Sequence, residues 1–235
     1  MDKKAIQLNS RFSLPPNSLG YCGKDSAPEK FKLCVIEGKC KGVEEEFKHF
    51  IVLHPYLRTL SKITKNPKFS YKVVESYWIG NELLKKAKKS DYNILLSFFK
   101  KQGVPDWLVK ELKGKKPKKF IPTHLFQVLH VGVGRASGSV PYNLETINNC
   151  MIRWGEVEKV NKTSVVVNLN SLKKFKGKFI LTKIRETQPF VSGFIQNLKK
   201  GDVVIVHWKQ VIKVLTENET KKITYWTNKV LRSIN

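Results

Sequence analysis

Apolar and polar positions follow two different rhythms along the chain. Up to about residue 120 the apolar residues recur at helical spacing. In EEEFKHFIVLHPYLRTLSKIT, Phe47, Phe50, Ile51, His54, Leu57 and Leu60 share one face. Glu44, Glu45 and Glu46 open that segment with charges that suit a helix N-terminus. Pro55, which lacks an N–H, is expected to kink or divide it. SYKVVESYWIGNELLKKAKK predicts a further helix, with Ser70 as N-cap, a stripe through Val73, Val74, Tyr77, Trp78 and Leu84, and lysines in its last turn. SDYNILLSFFKKQG follows, capped by Ser90 or Asp91 and stopped by Gly103. VPDWLVKELKG, between Pro105 and Gly114, predicts a short fourth helix. The first forty residues, with PPN and several glycines, read as an extended arm with turns.

From about residue 143 the period shortens. IRWGEVEKV, TSVVVNLNSL, GKFILTKIRE and GDVVIVHWKQVIKVL are β-type runs separated by NK, KG, SG and KKGD turn signals. The runs Val165 to Val167 and Val203 to Val206 fit buried strands. In LTENETKKITYWTNKVLRSIN, Thr216 and Glu219 make a capping-box pair ahead of Ile223, Trp226, Thr227 and Val230 at helical spacing. VGVGRASGSVP, 131–141, has the glycine and serine content of a connection. The expected fold class is therefore α+β. It comprises an extended arm over 1–40, a mostly helical domain over 41–130, a linker over 131–147, and a small OB-like β-barrel over 148–235 that ends in a helix.

Composition narrows the class. A chain of 235 residues, 41% hydrophobic, is long enough to bury a core. No window approaches the roughly 18 apolar residues of a membrane span, and the opening MDKKAIQLNS has no apolar stretch that predicts a secretory signal. Four cysteines are too few for a disulfide scaffold, so reduced thiols and a cytoplasmic setting are expected. The net charge of +25 attracts polyanions. Yet only Arg11, Arg58, Arg135, Arg153, Arg185 and Arg232 among the 44 basic residues are arginine, the residue that base readout and phosphate clamping favour. The lysines spread along the whole chain and read as a solvated surface, so nucleic acid is not the favoured partner.

Two side chains stand out as candidate chemistry. Cys150 lies at the mouth of the first β-type run and His207 at the end of a later one. In a small closed sheet such ends meet, and a histidine beside a cysteine tunes the thiol or completes a metal site. A second candidate group lies between the halves: Cys22 in a turn after PPNSLG, with His124 and His130 six apart in PTHLFQVLH. On a strand those histidines share a face, whereas on a helix they diverge by about 120° and do not chelate one ion. Cys34 and Cys40 lack a CxxC partner, and a zinc site there needs His49 or His54 as well. Glu75 with Trp78, Asn81 and Glu82 reads as a buried polar cluster.

The segment 148–235 resembles the HypC/HupF family of chaperones that assemble the metal centre of nickel–iron hydrogenases. Members begin with a cysteine, three residues, Pro-Gly, one residue and a valine or isoleucine. Here Cys150 is followed by Met-Ile-Arg, then Trp154, Gly155, Glu156 and Val157. A Gly-Asp, β-branched strand and histidine follow in the family; this chain has Gly201, Asp202, Val203, Val204, Ile205, Val206 and His207. Departures are Trp154 for the family's proline, Lys209 for a glycine, and an internal rather than N-terminal cysteine. The resemblance implies a small barrel in which Cys150 and His207 handle iron, supported by Trp154, Gly155, Gly201 and Asp202. It also implies a protein partner, either an assembly factor or a hydrogenase-like large subunit. Thiolate suits such iron as a strong donor.

The leading expectation is thus a non-enzymatic metallocentre-assembly or scaffold protein, with Cys150 accessible and close to His207. The alternative is a thiol- or metal-dependent enzyme whose pocket is built from Cys22, His124, His130 and Cys150. A nucleic-acid-binding barrel is the third reading, and it requires Trp154, Trp208 or Trp226 exposed beside lysines on one sheet face.

Overall fold

The computed structural model describes residues 2–191 and 193–235, so the SG turn signal at 192–193 lies partly outside the described residues. Ten helices and a five-stranded antiparallel sheet make up the described chain. The helices are α1 (Lys3–Ser18), α2 (Ala27–Ile36), α3 (Val43–Glu46), α4 (Leu53–Thr64), α5 (Tyr71–Trp78), α6 (Tyr92–Gln102), α7 (Asp106–Gly114), α8 (His124–Phe126), α9 (Leu144–Cys150) and α10 (Glu217–Ile234). The strands are β1 (Arg153–Val160), β2 (Ser164–Phe175), β3 (Lys178–Pro189), β4 (Val203–His207) and β5 (Gln210–Val214). The mixed helix-and-sheet class matches the expectation.

The expected extended arm is instead helical. Asp2 caps α1 by accepting from Ala5 N at 3.2 Å, and its other oxygen accepts from Tyr71 N at 2.7 Å. The helix runs through Pro15 and Pro16. It hides from a periodicity search because it buries Asn9, Ser10 and Ser13 alongside Ile6 and Phe12, leaving no clean polar face. Of these polar groups Asn9 Oδ1 is paired: Trp78 Nε1 donates to it at 2.7 Å. Arg11 donates to the carbonyls of Phe194 and Ile212 at 2.6 and 3.2 Å, tying α1 to the sheet.

Other boundaries follow local chemistry. Pro55 falls in the first turn of α4, where its missing N–H costs nothing, and a short 3₁₀ turn at Phe47–His49 precedes it. The helix expected from Ser70 stops earlier, at Trp78. Gly80 there takes φ +91°, and a Cβ on it would meet Trp226 of α10 at 2.4 Å. Glu75 accepts from Asn81 at 2.7 Å and from Lys222 of α10 at the same distance, so the polar cluster anchors the closing helix. Thr216 and Glu219 form the expected capping box.

The sheet has the order β3-β2-β1-β4-β5. It is not a barrel: the edge strands are joined only by an isolated bridge, Phe190 to Val211, so the ladder stays open. The closed OB-like barrel expected from the strand pattern is corrected in that respect. Closure depends on register and shear, which strand count does not report. The run GDVVIVHWKQVIKVL makes two strands, folded back at Trp208 and Lys209. Val165, Val167, Leu169, Val204, Ile205 and Val206 are all fully buried, and apolar residues of the helices and the sheet form one continuous cluster.

Candidate metal centre

Cys150 closes a helix rather than opening a strand. Asn143 caps α9 by accepting from Thr146 N at 2.9 Å, and the short LETINNC helix then ends on the cysteine. His207 is the last residue of β4. The next two residues, Trp208 (φ 48°) and Lys209 (φ 58°), occupy the left-handed region, which bulky residues rarely adopt. Trp208 N–H donates to Asn149 O at 2.7 Å, and its ring packs on Tyr21 at 4.6 Å. That bond joins the residue before Cys150 to the residue after His207, and so brings thiol and imidazole together.

His124 opens α8 behind the Thr123 cap, and the helix then loosens into a π-helical turn over Gln127–Gly132. Such turns are often found at functional sites. On this helical segment His124 and His130 diverge. His124 reaches Cys150, while His130 Nε2 lies 3.0 Å from the Tyr92 hydroxyl and takes no part in the cluster. Of the expected grouping, Cys22 and His124 line one cavity, and His130 lies apart from it.

His124, Cys150 and His207 present ligand atoms that all lie within 4.8 Å of one another, and all three residues are buried. His207 Nδ1 donates to the Phe12 carbonyl oxygen at 2.8 Å, which fixes the tautomer and leaves Nε2 as a bare lone pair. That Nε2 is buried with no hydrogen-bond partner. His124 Nε2 lies 3.7 Å from Cys150 Sγ and 2.8 Å from the Cys150 carbonyl oxygen, while Nδ1 lies 3.0 Å from the Tyr77 hydroxyl. With its proton on Nε2, His124 donates to that carbonyl. Ligation through Nε2 would need that proton moved to Nδ1, which faces the Tyr77 hydroxyl, and the nitrogen turned off the carbonyl.

Burial lowers the pKa of His124 to about 4, opposed by its bonds to Cys150 and Gln127. Burial and the neighbouring His124 hold His207 well below the usual histidine range, opposed by its bond to the Phe12 carbonyl and by the nearby Cys150 carbonyl, with which Nε2 makes no hydrogen bond of standard geometry. Burial pushes the Cys150 thiol well up, with the Cys22 charge adding to it and the Trp208 indole opposing it. Trp208 Nε1 makes no hydrogen bond of standard geometry, so its help to the thiolate is an electrostatic approach rather than a formed bond. Both imidazoles are therefore neutral at pH 7, and Cys150 is a protonated thiol. A poised nucleophile would need the opposite shift.

The cluster lies against a cavity of about 280 Å³. Cys22, Tyr21, Phe50 and the Gly132–Gly134 segment also line it. Cys22 is exposed by surface area, yet its thiol is crowded by the wall and pushed up to about 12. Asn17 Nδ2 donates to the carbonyls of Cys22 and Lys24 at 2.6 and 2.9 Å and so holds the mouth turn.

The remaining candidates have structural positions. Trp154, Trp208 and Trp226 are all buried and offer no stacking face. Gly155 sits where a Cβ would meet Asn168 O at 2.1 Å. Gly201 takes φ +90°, and Asp202 Oδ2 accepts from Lys199 N at 2.9 Å, which shapes the turn into β4. Cys34 and Cys40 form a disulfide, which departs from the expected set of reduced thiols. His54 is bound to Gln102 and Lys68 instead of a zinc site. Sequence reasoning missed the Phe12 carbonyl, Tyr77 and Gln127. The first is backbone and carries no residue signal, Tyr77 reads as part of an apolar helical stripe, and Gln127 opens the π-helical turn, which no spacing announces.

Fold and site together define a mixed helix-and-sheet protein with a buried two-histidine, one-cysteine constellation beneath a pocket. The chain belongs to a family of unknown function, DUF6390, which it matches over residues 1–235. No curated protein and no solved structure matches it.

Proposed function

We propose that this protein is a metal-handling assembly protein that carries iron at Cys150, His124 and His207. The observation that carries the reading is the lone pair of His207 Nε2. It is buried, unpaired, held in one tautomer by Phe12, and directed to a cluster shared with a thiol and a second imidazole. Metal-ligating histidines characteristically donate their other nitrogen to a carbonyl, as His207 does. One thiolate with two imidazoles is a donor set that suits iron, copper, zinc or nickel rather than magnesium or calcium. The nearness of Cys150 to His207 agrees with the resemblance to HypC/HupF chaperones, in which the iron is cargo passed to a partner protein. The burial of Cys150 means that the cavity, rather than an open surface, is the route of exchange. A cytoplasmic setting belongs to the same reading.

A second reading has a specific observation in its favour. Three protein ligands beside a cavity of about 280 Å³ leave room for a substrate on the metal, the arrangement of a metal-dependent enzyme. Anaerobic iron loading of wild type, Cys150→Ala and His207→Gln, read by metal content and infrared spectroscopy, tests the first reading. One iron per wild-type chain, lost in both variants, is expected. Equal and negligible iron in all three proteins would overturn it. Turnover of a small molecule by tightly held, non-transferable metal would favour the enzyme.

A further inference from the structure

The cavity over the metal centre is lined, among the described residues, by no lysine, arginine, aspartate or glutamate. This is unusual in a chain that is 27% charged. A divalent ion held by Cys150 and two neutral imidazoles would therefore keep one uncompensated positive charge in a buried site. The surrounding protein carries a net charge of +25 and worsens that imbalance. Among the pocket residues, only tyrosine and cysteine side chains can become anionic. Tyr77 is already committed to His124 and Gln127, and Tyr21 packs on Trp208.

Cys22 remains. It lines the same cavity as Cys150, His124 and His207. It stands outside the 4.8 Å cluster, on a turn between Gly20 (φ +72°) and Gly23 (φ +81°). The orphaned Nε2 of His207, aimed into the same space, is an independent sign that a cation belongs there.

We infer that Cys22 is the fourth ligand, closing from the pocket mouth to complete a charge-neutral, two-cysteine, two-histidine site for a divalent cation. The inference rests on the proposed metal-binding role and adds its stoichiometry. Binding forms two metal–sulfur bonds and breaks two S–H bonds, and both protons pass to buffer. The two imidazoles bind as neutral donors and release none. Because Cys22 is the exposed residue of the four, it is also the ligand that a metal donor or acceptor meets first.

Co²⁺ titration of the reduced protein under argon tests this. The readouts are proton release per ion and sulfur-to-cobalt charge-transfer absorption in wild type, Cys22→Ser and Cys150→Ser. The expected result is two protons per Co²⁺ in wild type. Cys22→Ser should release one proton, lose about half of the charge-transfer intensity, and bind with roughly 10–100-fold lower affinity. One proton per ion in wild type, with Cys22→Ser indistinguishable from it, overturns the inference and leaves the three-ligand site standing. No Co²⁺ binding by wild type overturns both. Cys22 is exposed, so matched thermal unfolding of Cys22→Ser and wild type is the folding control.

Discussion

His207 Nδ1 donates to the Phe12 carbonyl oxygen at 2.8 Å, so a residue of the first helix decides which nitrogen of a histidine at the end of β4 is left unpaired. The same helix stacks Phe12 on Trp78 at 4.7 Å, and Trp78 in turn lies 4.6 Å from His124. Replacing Phe12 with Ala should cost about 3–5 kcal/mol through the cavity it leaves. Metal affinity should fall with it, since the bond that orients His207 depends on that helix. Chemical denaturation and metal titration of the same variant check both parts.

Tyr77 supplies the hydroxyl that accepts from His124 when its Nε2 is freed for a metal. Tyr77→Phe should lower affinity for Co²⁺ by about 10–100-fold. The metal-free protein should lose only about 1 kcal/mol. Equal losses with and without metal would mean the hydroxyl serves packing alone.

His130 should make the metal-free protein sensitive to acid. Burial, helped by the charge of Lys115, lowers its pKa to about 4, and its ring faces Tyr92 and Phe126. The unfolded value is about 6.5. Between these values the unfolded chain holds a proton that the folded chain does not, so stability falls as pH drops. This contribution is complete above pH 6.5, is lost on the way down to pH 4, and changes no further below that. Denaturant midpoints should fall more steeply with decreasing pH for wild type than for His130→Asn across that window and run parallel outside it, with a difference on the order of 1 kcal/mol after allowing for partial exposure.

Gly155 is the close-approach point of β1 and β2. A Cβ there would strike the backbone of Asn168 at 2.1 Å, which cannot move aside as a flexible side chain could. Gly155→Ala should lower stability by more than about 2 kcal/mol and reduce soluble yield. A change within about 0.5 kcal/mol would show that the strands separate freely.

Arg153 is 3% exposed and reaches Glu186 through Nη1 at 2.9 Å. Glu186 is itself 32% exposed and Ser171 Oγ also accepts from Nη1, so Glu186→Ala should cost about 1–3 kcal/mol. Adding Arg153→Met to it should recover part of the loss, which a double-mutant cycle in denaturant measures directly.

Alkylation under native, non-reducing conditions should modify Cys22 first and Cys150 slowly, and leave Cys34 and Cys40 untouched until reductant opens their disulfide. Opening a loop this short should cost about 2 kcal/mol. Intact mass after timed labelling gives the order.

The local elements were legible wherever one face of an element is apolar and the other polar. The capping box at Thr216 and Glu219, the stripe of α10 and the valine-rich strands all announce themselves through neighbours three, four or two positions away. Helix α1 was not legible, because it is buried around much of its circumference and carries Asn9, Ser10 and Ser13 inside. The open edge between β3 and β5 was hidden for a different reason: closure is a relation between distant strands.

The site divides in the same way. The chain by itself determined that Cys150 and His207 were the side chains worth following, since thiol and imidazole are chemically distinctive whatever surrounds them. Only the tertiary structure decided that His124 joins them and His130 does not, because a helical segment sends residues six apart to different sides. It also decided that Nε2 of His207 is buried without a hydrogen-bond partner in a cluster that includes Cys150. That choice of nitrogen comes from a backbone carbonyl of another helix, and a backbone atom leaves no mark in the residue sequence.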